Sequence, residues 1–330
     1  MSSFPDSNSP SDPPAPLFIM KADMTSVHCV LFADFAGEEH LYAGTIDGIV
    51  HIWNLKTRRR MKTLQQSDSP CLSLHVFDDH LITQDKAGLL KIWKCTEGDF
   101  KCIYSKNFDN FSFCRISFLK REVSYLAIPQ SESKIDVYSL KENTPIFHGS
   151  FQCSELNGKK LGDVIVLKII VINSTEYIAA MYEGGMFLLW NVSSKKIVIE
   201  DQLTNDTPMC FDFDSDNLQG VCGTSGDSIN VFKMNTKGSI IKRKSIKMKN
   251  SGTGSLCIRP DRKILAAGCW DGRIRIFSWK NLKLLVVLEC HEETVLDVAF
   301  SRDFTQNSQC KYLLGGGSSD RKISLWDIYN

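Results

Sequence analysis

Twelve cysteines, seven histidines and 38 carboxylates give this 330-residue chain material for metal, nucleophilic and acid–base chemistry. Their spacing withholds all three. No Gly-x-Ser-x-Gly elbow, Gly-x-x-x-x-Gly-Lys-Ser/Thr phosphate loop or His-Glu-x-x-His helix motif occurs. The two nearest cysteines, Cys95 and Cys102, are seven apart, whereas zinc sites use close pairs. The cysteines therefore read as free thiols of a reducing compartment, filling core space as small hydrophobes. Asp212, Asp214 and Asp216 alternate along one strand. Calcium needs about six or more oxygens from a shaped loop, so this trio reads as a solvated strand end. The glycine-rich run 315–320 has no following helix to offer amides to phosphate. The expectation is a chain without catalytic residues, cofactor, metal or small-molecule substrate.

The residues that do recur at fixed spacing are structural, and they define the elements. Seven aromatic anchors, Trp53, Trp93, Tyr138, Trp190, Phe232, Phe277 and Trp326, stand 40, 45, 52, 42, 45 and 49 residues apart. The residues one and three before each anchor are apolar throughout, and those two before are mostly polar. A period of two marks a strand with one buried face. Twelve before the anchors stand Leu41, Leu81, Leu126, Ile178, Gly220, Leu265 and Leu314, on a preceding strand joined by a tight turn. The turns carry Asp-Gly, Gly-Gly or similar pairs, which tolerate positive φ. The third has Glu132-Ser133, which predicts a looser turn. Each hairpin is preceded by another apolar strand, as at 26–32, 70–77, 112–118, 209–214 and 294–300 for example, and followed by an outer one. Cys29, Cys71, Cys114, Cys210 and Cys257 fall on the preceding strands.

Four antiparallel strands repeated seven times predict an all-β, seven-bladed β-propeller over 17–330, because a lone blade cannot bury both faces. The last repeat lacks an outer strand, and residues 17–20 offer one, so the N-terminal strand is expected to close the ring. Residues 1–16 hold five prolines and read as a disordered tail. A net charge of +1, from 39 basic and 38 acidic residues, gives no general attraction to nucleic acid or anionic membrane. No apolar run spans a membrane, and no secretory signal opens the chain. Cytoplasm, nucleus or both are the expected compartments.

The repeat resembles WD40. His291 sits where that family places its histidine, with Cys290 replacing the usual glycine, and Ser318, Asp320 and Trp326 follow at the family's spacing. The resemblance implies a buried hydrogen-bond chain through these four. The first blade keeps Thr45, Asp47 and Trp53, with Asp23 at the histidine position; the other blades keep only the anchor. The stretches GIVHIWNLKTRR (48–59), CFDFDS (210–215), RPDRKILAAGCWDGRIRIF (259–277) and DRKISLWDIY (320–329) resemble the G-protein-β-subunit-like WD-repeat family, which includes the fungal ASTRA-associated subunit. That resemblance implies a non-enzymatic scaffold or adaptor in the maturation of phosphatidylinositol-3-kinase-related kinases. Its implied partners are the Tel2–Tti co-chaperone, those kinases and AAA+ assembly ATPases. DNA-damage and growth signalling would follow.

Three places can carry partner contacts. Trp270, flanked by Asp271 and Arg273, is a large aromatic in an inter-strand turn; it is either an exposed anchor or packed on a neighbouring blade. Lys242, Arg243 and Lys244 open a basic run to Lys249, which is either a localisation or acidic-partner patch or a solvated outer strand. The insertion 153–163 is the longest between repeats. Two other functions compete. A heterotrimeric G-protein β subunit needs an N-terminal heptad helix, which a proline-rich 1–16 cannot form. A histone or peptide reader needs acidic and aromatic residues at the channel mouth.

Overall fold

The computed structural model describes residues 14–35, 37–108, 112–141, 144–235, 239–302 and 312–329. Most of the proline-rich tail, 1–13, lies outside the described residues, as does Cys310. Seven four-stranded antiparallel sheets form the blades, and a two-stranded hairpin, Glu155–Leu156 with Lys159–Lys160, fills the long insertion. No helix occurs among the described residues, so none is long and apolar enough to cross a membrane.

Blade 1 runs Val27–Phe35, Glu38–Thr45, Ile49–Asn54 and Arg59–Gln65, from channel to rim. The residues twelve before each anchor are its direct cross-strand partners: Leu41↔Trp53, Leu81↔Trp93, Leu126↔Tyr138, Ile178↔Trp190, Gly220↔Phe232, Leu265↔Phe277 and Leu314↔Trp326. The glycine in that series has a packing reason. A β-carbon on Gly220 would lie 2.3 Å from the Phe232 ring. All seven anchors are buried, and the apolar clusters lie between neighbouring blades, as stacking requires.

The ring closes as expected. Phe18–Met20 pairs antiparallel with Ile323–Asp327, in the register Phe18↔Leu325 to Met20↔Ile323, and becomes the outer strand of blade 7. Met20 is fully buried there. Two local expectations need correction. The inner strand of blade 3 is only Ser117–Leu119, and the side chain of Arg115, just before it, donates to the His28 carbonyl. The third turn is not looser: Pro129↔Ile135 keeps the spacing of Gly44↔Val50, with Glu132 (φ 58°) and Ser133 (φ 61°) both left-handed. Backbone strain there replaces glycine. The Ser133 hydroxyl donates to the Gly162 carbonyl at 2.6 Å and holds the turn.

Candidate functional site

Consecutive antiparallel turns alternate between the two ends of a blade. The turns holding Asp47-Gly48, Trp270-Asp271 and Ser319-Asp320 therefore share one face with the loops that link blades. His291 and Asp320 meet on this face in blade 7. His291 Nδ1 lies 3.1 Å from each Asp320 carboxylate oxygen, and Nε2 lies 2.8 Å from Ser324 Oγ. The Trp326 indole donates to the same Ser324 oxygen at 2.8 Å. The Asp320 carboxylate only accepts, so His291 Nδ1 carries the proton toward it; Nε2 then accepts the Ser324 hydroxyl hydrogen, and the Ser324 oxygen accepts from the indole. Burial opposes ionisation of Asp320, yet bonds from His291 and the Glu292 amide hold its carboxyl down at about 2.

Ser318 is not a member of this chain, which corrects the expectation. Its hydroxyl donates to the Glu293 carbonyl at 3.1 Å and accepts the Asp320 amide at 3.2 Å, fixing the turn instead. The relay must share a strand face with Trp326, and two residues back along Ile323–Asp327 that place belongs to Ser324. In blade 1 the chain is broken. Thr45 and Thr25 hydroxyls donate to Asp47 Oδ1 at 2.5 and 2.7 Å, but Trp53 Nε1 has no partner among the described residues. His51 occupies the serine position, and its Nε2 is also unpaired among the described residues. Burial and nearby Arg60 push its imidazole down to about 4.

Blade 2 has an alternative chain that the spacing did not reveal. Trp93 Nε1 donates to Thr83 Oγ1 at 3.0 Å, Thr83 donates to Gln66 Oε1, and Gln66 Nε2 donates to the Leu89 carbonyl at 2.9 Å. Thr83 pairs directly with Lys91, the residue two before the anchor. The hydroxyl has moved to the neighbouring strand, where a fixed-offset comparison misses it.

Trp270 lies on the same face and is 40% exposed. Part of its ring rests on the backbone entering its own blade: a β-carbon on Gly252 (φ +91°) would come 2.0 Å from it. Its carbonyl accepts the Thr294 hydroxyl at 3.2 Å. Asp271 is committed internally, receiving Arg275 through both guanidinium nitrogens (2.9 and 2.6 Å) and Asn250 at 2.7 Å. Burial opposes its charge, but these partners hold the carboxyl at about 2. Arg273 pairs with Glu289 at 2.8 Å. Ile46, Phe113 and Met209 are also exposed on this face, and Lys86 Nζ lies 3.8 Å from the Phe113 ring centre.

The basic run is elsewhere. It forms Ile240–Lys247, the outer strand of blade 5, so the structure does not bring it together with Trp270. Arg243 pairs with Asp201 of the preceding blade, Lys247 pairs with Asp227, and Lys244 is exposed; the Lys242 side chain lies outside the described residues. Several charges on and beside the inner strands are likewise matched. Arg115 pairs with Asp297 at 2.8 Å and donates to the His28 carbonyl at 2.8 Å, while Lys168 pairs with Asp212. Asp297 also accepts from Ser255 at 2.8 Å and the Val30 amide at 2.8 Å. Asp214 receives Trp279 at 2.9 Å, and Arg262 spans Asp214 and Asp216. Among the described residues no three His, Cys, Asp or Glu side chains group as metal ligands.

Comparison with known proteins gives this geometry a context. The family model "WD domain, G-beta repeat" matches residues 244–278 and 282–327. A Mus musculus protein, guanine nucleotide-binding protein subunit beta-like protein 1, is 30% identical over 328 residues, covering 96% of this chain and 97% of that one. ASTRA-associated protein 1 of Verticillium alfalfae is 22% identical, covering 96% of this chain and 93% of its own. The crystal structure of Saccharomyces cerevisiae Sqt1 superposes with a TM-score of 0.71 at 12% identity, covering 96% of this chain and 99% of that one, a likeness of fold.

Proposed function

Since the chain belongs to the family of guanine nucleotide-binding protein subunit beta-like protein 1, we propose that it is a non-enzymatic WD40 adaptor serving the co-chaperone machinery that matures phosphatidylinositol-3-kinase-related kinases. The observation that carries this reading is end-to-end similarity, over the whole ring, to proteins named as ASTRA-associated. In this reading the partners are the Tel2–Tti co-chaperone, the kinases and the AAA+ assembly ATPases, met in the cytoplasm or nucleus. The ring supplies a rigid mount, and the turn face supplies the contact. Trp270 is its anchor, because an exposed indole held on one side by its own blade loses little freedom on binding. Asp271 and Arg273 position that turn through Arg275 and Glu289 and do not themselves reach a partner. A channel-based histone reader is disfavoured by Asp212 and Asp297, whose charges are spent on Lys168 and Arg115.

The test is affinity capture of the tagged chain from its own cells, with mass spectrometry of what is retained. Recovery of the co-chaperone or its client kinases is the expected outcome. Trp270→Glu should lower that recovery at least tenfold with an unchanged melting transition. Recovery of a G-protein γ subunit or histones in their place would overturn the proposal.

A further inference from the structure

On the face opposite Trp270, where the first hairpin of each blade turns, a cleft of about 1000 Å³ opens across blades 7, 1, 2 and 3. Its lining is mixed: Leu31 and Phe32 from blade 1, Val76 and Phe77 from blade 2 and Leu313 from blade 7 supply apolar surface, and Glu38, Asp78, Lys56, Lys120 and Arg302 are among its charged residues. Asp34 and Glu39 stand in the same cleft, directly opposite one another across paired strands. Like charges so placed repel and destabilise the pair. Glu39 Oε1 is buried and has no hydrogen-bond partner among the described residues. Cations are not missing from the cleft. Lys120 is taken by Asp78 at 2.7 Å, while Lys56 and Arg302 line it without an ion pair to Asp34 or Glu39 among the described residues.

A buried carboxylate oxygen without a partner is expensive, and folding alone gives no reason to keep one beside a second acid. We propose that this cleft is a second binding site, which takes a partner's extended peptide by seating an arginine or lysine side chain between Asp34 and Glu39. The apolar part of the lining, Leu31, Val76 and Leu313, would take the stem of that side chain, and the two acids its charge. Burial, reinforced by Asp34, raises the Glu39 carboxyl to about 7, and a cation seated beside it would bring it down again. The site does not depend on the role assigned to Trp270, and its failure would leave that role untouched.

The experiment uses the immobilised full chain and four fluorescent pools of degenerate seven-residue peptides. The pools differ only in a fixed central Arg, Lys, Gln or Glu. The Arg and Lys pools should be retained at least tenfold over the Gln pool. Glu39→Gln should reduce them to the Gln level without lowering the melting temperature, and Asp34→Asn should do the same from the other side of the cleft. Trp270→Glu should leave retention unchanged. Equal retention of all four pools, undiminished retention by both acid variants, or loss in the Trp270 variant would each overturn the site.

Discussion

Ser324 and Ser318 are six residues apart on one hairpin, yet only Ser324 stands between the Trp326 indole and the His291 imidazole. Ser324→Ala leaves two buried nitrogens unpaired and should cost about 2 kcal/mol in urea unfolding. Ser318→Ala loses only turn-fixing bonds and should cost less than half of that; equal losses would return Ser318 to the chain. Asp320 gives the chain a pH signature. Its carboxyl is held at about 2 from an ordinary 3.8, so its contribution is complete above pH 4 and is lost as pH falls through 2. Asp320→Asn should flatten the acid limb of the stability curve between those values, and an unaltered limb would show that the bond to His291 carries no stability. The sequence displayed His291, Asp320 and Trp326 as rare polar and aromatic types at marked places. Ser324 was visible only as one more polar residue of an alternating strand, and Thr83 was hidden by its move to an adjacent strand. Hydrogen-bond partners are set by three-dimensional neighbours, which fixed sequence offsets capture only when every blade uses the same strand.

At the level of elements, the strand Phe18–Met20 joins the two ends of the chain's order into one sheet. The sequence revealed it because the last repeat lacked a strand and the first was preceded by a spare one, a complementarity that only a closed ring explains. Deleting residues 1–22 exposes the edge Ile323–Asp327 and removes the fully buried Met20. Thermal unfolding should begin several degrees lower, and Met20→Ala alone should cost about 2–4 kcal/mol. A truncated chain with an unchanged transition would mean that the strand decorates blade 7 without closing it. The third turn was less legible. Residue identity favoured slack, but the register on both sides of the turn demanded a two-residue reversal, and Glu132 and Ser133 accept left-handed backbone to provide it. Sheet register outweighs local preference because it commits many ladder bonds at once.

The whole ring has one further tie that no blade contains by itself. Arg115 precedes the inner strand of blade 3 but bonds Asp297 of blade 7 and the His28 carbonyl of blade 1, bridging non-adjacent parts of the circle. The repeat pattern could not disclose this, since it assigns each residue to its own blade and says nothing about the channel between them. Neighbour-only contacts let a repeat array open at one seam, whereas a cross-channel bond couples distant seams. Arg115→Met should therefore do two things. It leaves the buried Asp297 with only neutral donors, at a cost of about 2 kcal/mol. It should also reduce the cooperativity of unfolding, separating the exchange of blade 7 amides from that of blade 3 in native-state hydrogen exchange. Lys247→Met, which breaks a surface pair with Asp227 on the outer strand of blade 5, should change neither quantity measurably. If the two variants behave alike, the cross-channel bond is incidental, and the propeller holds together by blade stacking alone.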